Sequence, residues 1–315
     1  MSGGPPTLAS GAEGALGYQL QSSFGVPVAV PTAHQNWAEF TAKDITYDAA
    51  QKLLETGAGT RAAQRRKVRG MAKTAGGFTL PLLPTEGALL LAAFFGVEEL
   101  IGGAHVLAMG LPRMLTIESQ LAGQSYQYQD VFLDKLDLAQ SGAEWTAKYT
   151  VMGGVGLIPI DTTEPLVPDD PTVFAWGMTT LSTAFGGISE GELGSLGLTL
   201  DNGVRQFSGA GSYAPTRGRG GLFKVSGKCS YLFDSAAAAL AVQDYIDGVE
   251  TDLVVTITRD STHSLVITLP HCLVTANKPK ETLPDFVSLE ASFEVRAPDG
   301  VTLALLNDDS GAYLT

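Results

Sequence analysis

Positive charge is scarce in this chain: 20 Lys and Arg stand against 33 Asp and Glu, a formal net charge of −13 over 315 residues. Such a surface repels a phosphate backbone rather than gripping it, which argues against sequence-specific nucleic-acid binding. Cysteine is scarcer still. Cys229 and Cys272 are the only two and form no CxxC, so a disulfide-stapled scaffold is excluded and two free thiols in a reducing compartment are expected. The histidines, His34, His105, His263 and His271, offer no HxxxH, and a zinc site from His263, His271 and Cys272 lacks a fourth ligand. Trp37, Trp145 and Trp176 occur singly and without basic neighbours, unlike a base-stacking platform, and Trp145 is expected to cover a core edge. Long apolar runs are missing too. GALLLAAFFGVEEL breaks at Gly96, Glu98 and Glu99, short of the roughly 20 apolar residues a membrane helix needs. The opening MSGGPPTLASGAEGALGYQL has no basic start or long apolar stretch, and reads as an arm rather than a secretory leader.

What the chain does have is self-similarity. KVRGMAKTAGGF (67–78) and FKVSGKCSYLF (223–233) share a Val, a Gly two residues on, and small residues running to an aromatic. The likeness extends outward. DITYD, RRKVRGMAKTAGGF, LPTEGALLLAAFFG, MLTIES and YQDVFLDKLDLAQSGAEWTAKYTVMG follow in order in the first half. LGLTLDN, LFKVSGKCSYLFDS, AAAALAVQDYIDG, DLVVTITRD and HCLVTANKPKETLPDFVSLEASFEVRA follow in the second. One repetition at this scale indicates a duplicated domain, not a solenoid.

Strands dominate each half: LVVTITRD and SLVITL alternate faces around a turn at RDSTH. One helix per half is expected. The first, Ala88 to Phe95 before Gly96, is apolar nearly all round, which predicts burial on several sides. The second begins at Asp234 or Ser235 and stops at Gly248, with Ala237, Ala241 and Tyr245, and Leu240 beside them, forming a stripe to lie on a sheet. The expected fold is therefore mainly β (α+β), two tandem antiparallel β-sandwich or barrel domains, each with one flanking helix. Residues 1–40 form an extended arm too rich in Gly and Pro for a core of its own, and 41–157 the first β domain. Residues 158–172 are an acidic linker holding Pro159, Pro165, Pro168 and Pro171, and 173–315 the second β domain.

Motifs for chemistry are weak. GISEG (187–191) matches G-x-S-x-G and would make Ser189 a nucleophile, but the Gly-punctuated segment after it reads as strand where a helix is required. GGVG (153–156) and SGAG (208–211) lack the strand-to-helix setting of a phosphate loop. DTTEPLVPDD lacks the ligand spacing of a calcium loop. No catalytic residue, cofactor or metal is expected.

The order of elements, FGVPVAV near the start, and the paired strand–strand–helix units resemble the tail tube (major tail) proteins of long-tailed bacteriophages, over most of the chain. The resemblance implies sheets joined side by side into a ring and rings stacked into a tube that conducts DNA without binding it specifically. Two such domains per chain imply a homotrimer ring acting as a pseudo-hexamer; six double-domain chains are the alternative. It also implies tape-measure, tail-tip and tail-terminator partners, no membrane, and a place in the virion tail after synthesis in the host cytoplasm. Long loops and the arm would reach neighbouring subunits.

On this reading Asp130, Asp134, Asp137, Glu290 and Glu294 are candidate lumen acids, with solvated outer positions as the alternative. The basic clusters QRRKVRG, with Arg65 and Arg66, and TRGRGGLFK, with Arg217 and Arg219, are candidate contacts between rings, facing acidic loops such as Asp169 and Asp170. The rivals are a tail hub, baseplate or capsid-decoration protein of the same domain type, a β-rich surface-binding module, and an enzyme carried on Ser189.

Overall fold

A computed structural model describes residues 15–31, 36–56, 64–121, 124–156, 158–160, 173–183, 192–210, 212–232, 236–280 and 288–314. In the first half these form β1 (Ala15–Leu20), β2 (Trp37–Ala38), β3 (Ala42–Lys43), β4 (Thr46–Asp48), a hairpin of β5 (Gln51–Thr56) and β6 (Gln64–Arg69), β7 (Lys73–Pro81) and helix α1 (Ala88–Phe95). A second hairpin, β8 (Gly96–Ile101) and β9 (Ala104–Met109), leads to β10 (Leu115–Leu121), the long β11 (Gln124–Ser141), β12 (Glu144–Gly153) and β13 (Ile158–Ile160). The second half holds β14 (Thr179–Thr183), β15 (Leu193–Asp201), a hairpin of β16 (Arg205–Phe207) and β17 (Arg217–Arg219), β18 (Lys224–Leu232) and helix α2 (Ala236–Asp247). It ends with β19 (Glu250–Thr258), the long β20 (Ser264–Lys280), β21 (Ser288–Val295) and β22 (Thr302–Leu306). The protein is mainly β, with large open antiparallel sheets packed as a sandwich rather than a closed barrel.

Alternation explains why these segments are strands. In β12, Trp145, Ala147, Tyr149 and Val151 are buried while Glu144 and Lys148 are exposed, the period of two that one wet and one dry face demand. The dry faces close on one continuous core that also holds Leu136, Leu138, Leu198, Leu200, Tyr231 and Phe293.

The same pairing scheme occurs in both halves. β11 pairs with β12 through its C-terminal part and with β13 through its N-terminal part; β20 does so with β21 and β22. β10 lies on the other edge of β11, and β19 on that of β20. β7 pairs with β12 as β18 pairs with β21. Irregularities recur as well: the register shifts at Asp134 and at Thr275, and again at Thr116 and Asp252. Beside β4 and β15, Asp48 accepts from the Ala50 N–H as Asp201 accepts from the Gly203 N–H, both at 2.7 Å.

Among the described residues two strand pairings join the halves, beside an isolated bridge between Glu144 and Ala175. β11 pairs with β15 from Lys135–Asp201 to Ala139–Gly197, which runs one sheet through β4, β7, β12, β11, β15, β18, β21 and β20. The β8–β9 hairpin, which has no counterpart after α2, pairs its second strand with β22.

Helix α1 is buried at all eight positions, as its all-round apolarity predicts. Its last carbonyls find donors outside the helix, as buried helix ends must: Ala93 O accepts from Arg113 N, Phe95 O from Gly110 N, and Phe94 O from Asn202 Nδ2. Phe94 and Phe95 each lie 6.4 Å from the Phe223 ring across the seam, and burying each ring contributes about 2–3 kcal/mol. Helix α2 ends as expected: Gly248 takes φ 67°, and Val249 N donates to Asp244 O at 2.9 Å. Its expected stripe is corrected. Ala241 is buried, but Leu240 is 57% and Ile246 67% exposed, and Tyr245 is exposed as well.

Two further expectations meet the structure. Ala15–Leu20, placed in the extended arm, is a strand paired with β10 along its whole length, because Leu16 and Tyr18 bury on one side of it. Ile158–Ile160, placed in the linker, pairs with β11; residues 161–172, with Pro165, Pro168 and Pro171, lie outside the described residues.

Candidate functional site

The outward face of the long sheet is polar. Register sets Asp137 opposite Lys148, Asp201 between Lys135 and Lys224, and Glu290 opposite Lys278. Directly opposed residues share a face, so this surface alternates in sign instead of forming an acidic wall. Asp137 accepts from the Thr199 hydroxyl at 2.6 Å. Glu290 and Glu294 are both exposed on β21, with Ser292 between them.

The other two candidate acids hold the fold. Asp130 is 2% exposed; its Oδ1 accepts from Gln21 Nε2 at 2.5 Å and from Gly25 N at 2.7 Å, fastening the segment after β1. Burial pushes its carboxyl above the usual range, and those two bonds partly offset the shift. Asp134, at the bulge, accepts from Val204 N at 2.6 Å and from Asn202 N through its carbonyl, pinning the second half to the first. Burial raises its carboxyl also, against the Val204 bond.

The basic candidates lie on corresponding hairpins. Arg65 and Arg66 stand opposite Glu55 and Leu54 in β5–β6, which precedes β7. Arg217 and Arg219 stand opposite Phe207 and Arg205 in β16–β17, which precedes β18, and both are exposed. Asp169, Asp170 and Ser189 lie outside the described residues.

Elsewhere the chemistry is local. Gly154 and Gly156 pack closely on Asp130 and Tyr128, accounting for the Gly-rich turn after β12 by packing. His263 is held by Asp260 and Asp308, while His271 faces Glu250. No cluster able to hold a metal occurs among the described residues. Cys229 and Cys272 are free and buried, and burial pushes both thiols up to about 12. Trp145 is buried inside the core and pairs with Trp176, ring centroids 5.7 Å apart, so these two tryptophans are not isolated as the sequence suggested.

Sequence reasoning missed the sheet ends. Among the described residues, β4 has a partner on one edge only, β7. The stretch Ala276–Lys278 of β20 likewise pairs only with β21. Open edges with unpaired N–H and C=O groups are templates for adding another strand. One signal was available: Asn277 follows the apolar and β-branched run Cys272–Ala276 within a strand, where Asn is disfavoured.

Compared with known families, residues 11–297 match the family described as phage tail tube protein. No curated protein matches the chain. With a match spanning most of its length and a mainly β fold to go with it, the chain belongs to the phage tail tube protein family and is a structural protein of the virion tail.

Proposed function

We propose that copies of this chain close into rings that stack into a DNA-conducting tube, each copy supplying two corresponding tube domains, so that three copies make a pseudo-hexameric ring. The observation that carries this reading is the recurrence of one pairing scheme, bulges included, in two halves already joined edge to edge by β11 and β15. A unit that pairs with its own successor can go on doing so, and head-to-tail pairing that rotates by a fixed angle closes. The domains are residues 41–157 and 173–315, with β1 added to the first.

The polar sheet face lines the channel, with Asp137, Glu290 and Glu294 as its acids; alternation with lysines leaves it hydrated and without a binding register for DNA. Arg65, Arg66, Arg217 and Arg219 form contacts between rings with loops that include Asp169 and Asp170. Tape-measure, tail-tip and tail-terminator proteins are the partners at the tube's interior and ends. The role is mechanical, with no catalysis.

Negative-stain electron microscopy over a concentration series tests this. Hollow filaments with a regular axial repeat and three-fold end views are expected. Single closed rings that never lengthen, even with tail-tip extract added, would favour a hub.

A further inference from the structure

We infer that the bare edge of β20 at Ala276–Lys278 pairs with the bare edge of β4 in a second copy, repeating between chains the seam that β11 and β15 make within one; this rests on the ring reading above. The correspondence fixes the register. Asp134 and Thr275 are the unpaired bulge residues, so Lys135, Leu136 and Asp137 correspond to Ala276, Asn277 and Lys278. Asp201 opposes Lys224 as Asp48 opposes Lys73, so Asp201, Leu200 and Thr199 correspond to Asp48, Tyr47 and Thr46. Within the chain Leu136 faces Leu200, and Asp137 faces Thr199. Between chains Asn277 then faces Tyr47, and Lys278 faces Thr46.

The side chains at these positions support the pairing. Asn277 Nδ2 donates to the Tyr231 hydroxyl at 2.9 Å, while its Oδ1 is buried with no partner among the described residues. A buried unmet acceptor costs about 1–3 kcal/mol. Tyr47 is only partly exposed, and its hydroxyl has no bond among the described residues. Placed opposite Asn277, that hydroxyl supplies the missing partner. A polar pair here, where the internal seam has two leucines, also selects the partner: Leu200 could not satisfy Asn277, so the β20 edge discriminates against the β15 edge.

The neighbouring helix is bare in the same way. Counting back from Gly96 and Gly248, Ile246 corresponds to Phe94, which packs toward Phe223 across the internal seam; Ile246 is 67% exposed. Phe223 corresponds to Ala72, beside Met71, which is 61% exposed. Edge pairing between copies brings that loop toward α2.

The test is a cysteine pair, Thr46→Cys with Lys278→Cys, in the full chain, whose own cysteines are buried. Mild oxidation of assembled protein should give a covalent ladder that ends at the ring size, whereas Asp48→Cys with Lys278→Cys, two residues out of register, should not. Asn277→Leu and Tyr47→Leu should each raise the critical concentration for assembly about tenfold, and the double variant, which copies the Leu136–Leu200 pair, should restore it. Filaments without the 46–278 crosslink, or with equal crosslinking of the shifted pair, would overturn this seam and leave the tube reading standing. A chain that stays monomeric at every concentration and with tail-tip extract would overturn both.

Discussion

Asp130 and His271 occupy the same place in the two long strands, each with a positive φ, 57° and 52° respectively, and each just ahead of the bulge at Asp134 or Thr275. There each strand changes partners: β11 passes from β10 and β13 to β12 and β15, and β20 from β22 to β21. A left-handed residue bends the strand so that one segment serves two sets of neighbours, and the bulge restores facing afterwards. The two side chains have nevertheless diverged. Asp130 is buried and bonded to the segment after β1, while His271 is exposed.

Glycine tolerates the left-handed region, so His271→Gly should leave stability within about 0.5 kcal/mol, the strain relieved offsetting the added unfolded-state entropy. Asp130→Gly loses two buried acceptor bonds and should cost about 1–3 kcal/mol. Denaturant midpoints for the two variants check the contrast, and equal losses would contradict it.

The helix stops differ in a similar way. A Cβ on Gly96 would stand 2.0 Å from the Leu111 carbonyl oxygen, whereas one on Gly248 meets open space. Both positions have positive φ, so Gly248→Ala should cost about 1–2 kcal/mol from backbone strain alone. Gly96→Ala must in addition move backbone, and should abolish soluble expression or lower the midpoint by more than twice as much. Soluble yield and thermal midpoint decide it.

Those two stops were legible in the sequence because they are local: an apolar or amphipathic run, then Gly. The repeat was legible as an order of elements but not in its register. KVRG and KVSG align Gly70 with Gly227, yet pairing puts Gly76 opposite Val151 as Gly227 stands opposite Phe293; the β5–β6 hairpin displaces the likeness. The α2 stripe failed because, among the described side chains, Ala241 and Val242 pack on the core while Leu240 and Tyr245 do not, a tertiary choice that periodicity does not encode. A period of two accounts for Glu290 and Glu294 both being exposed on β21, but it does not reach Asp130 or Asp134, since a left-handed residue and a bulge each break it.

Charge reversal on the hairpins probes contact between rings. Arg65→Glu with Arg66→Glu, or Arg217→Glu with Arg219→Glu, should shorten filaments at a given protein concentration while leaving ring formation intact. Attraction between exposed charges is screened by salt, so added salt should shorten wild-type filaments and narrow the difference. Unchanged filament lengths by electron microscopy in both variants would remove these residues from the contact.

Asp130 also gives the protein a pH dependence whose sign can be worked out. Its folded pKa is raised by burial above the ordinary carboxylate value. The folded state therefore holds this proton more tightly than the unfolded state does. Its contribution to stability is fully present below the unfolded pKa and is lost as pH rises through the folded one. Asp130→Asn keeps an Oδ1 to accept from Gln21 and Gly25 but cannot ionise. Relative to wild type, this variant should gain stability as pH rises from about 4, near the unfolded pKa, through the raised folded pKa of Asp130, and level off above it. Asp134 shifts in the same direction, so the variant itself retains part of the slope. Unfolding free energies of both proteins at several pH values measure the difference: a gap that stays constant with pH would mean Asp130 ionises in the fold as it does in the open chain, with the Gln21 and Gly25 bonds fully offsetting its burial.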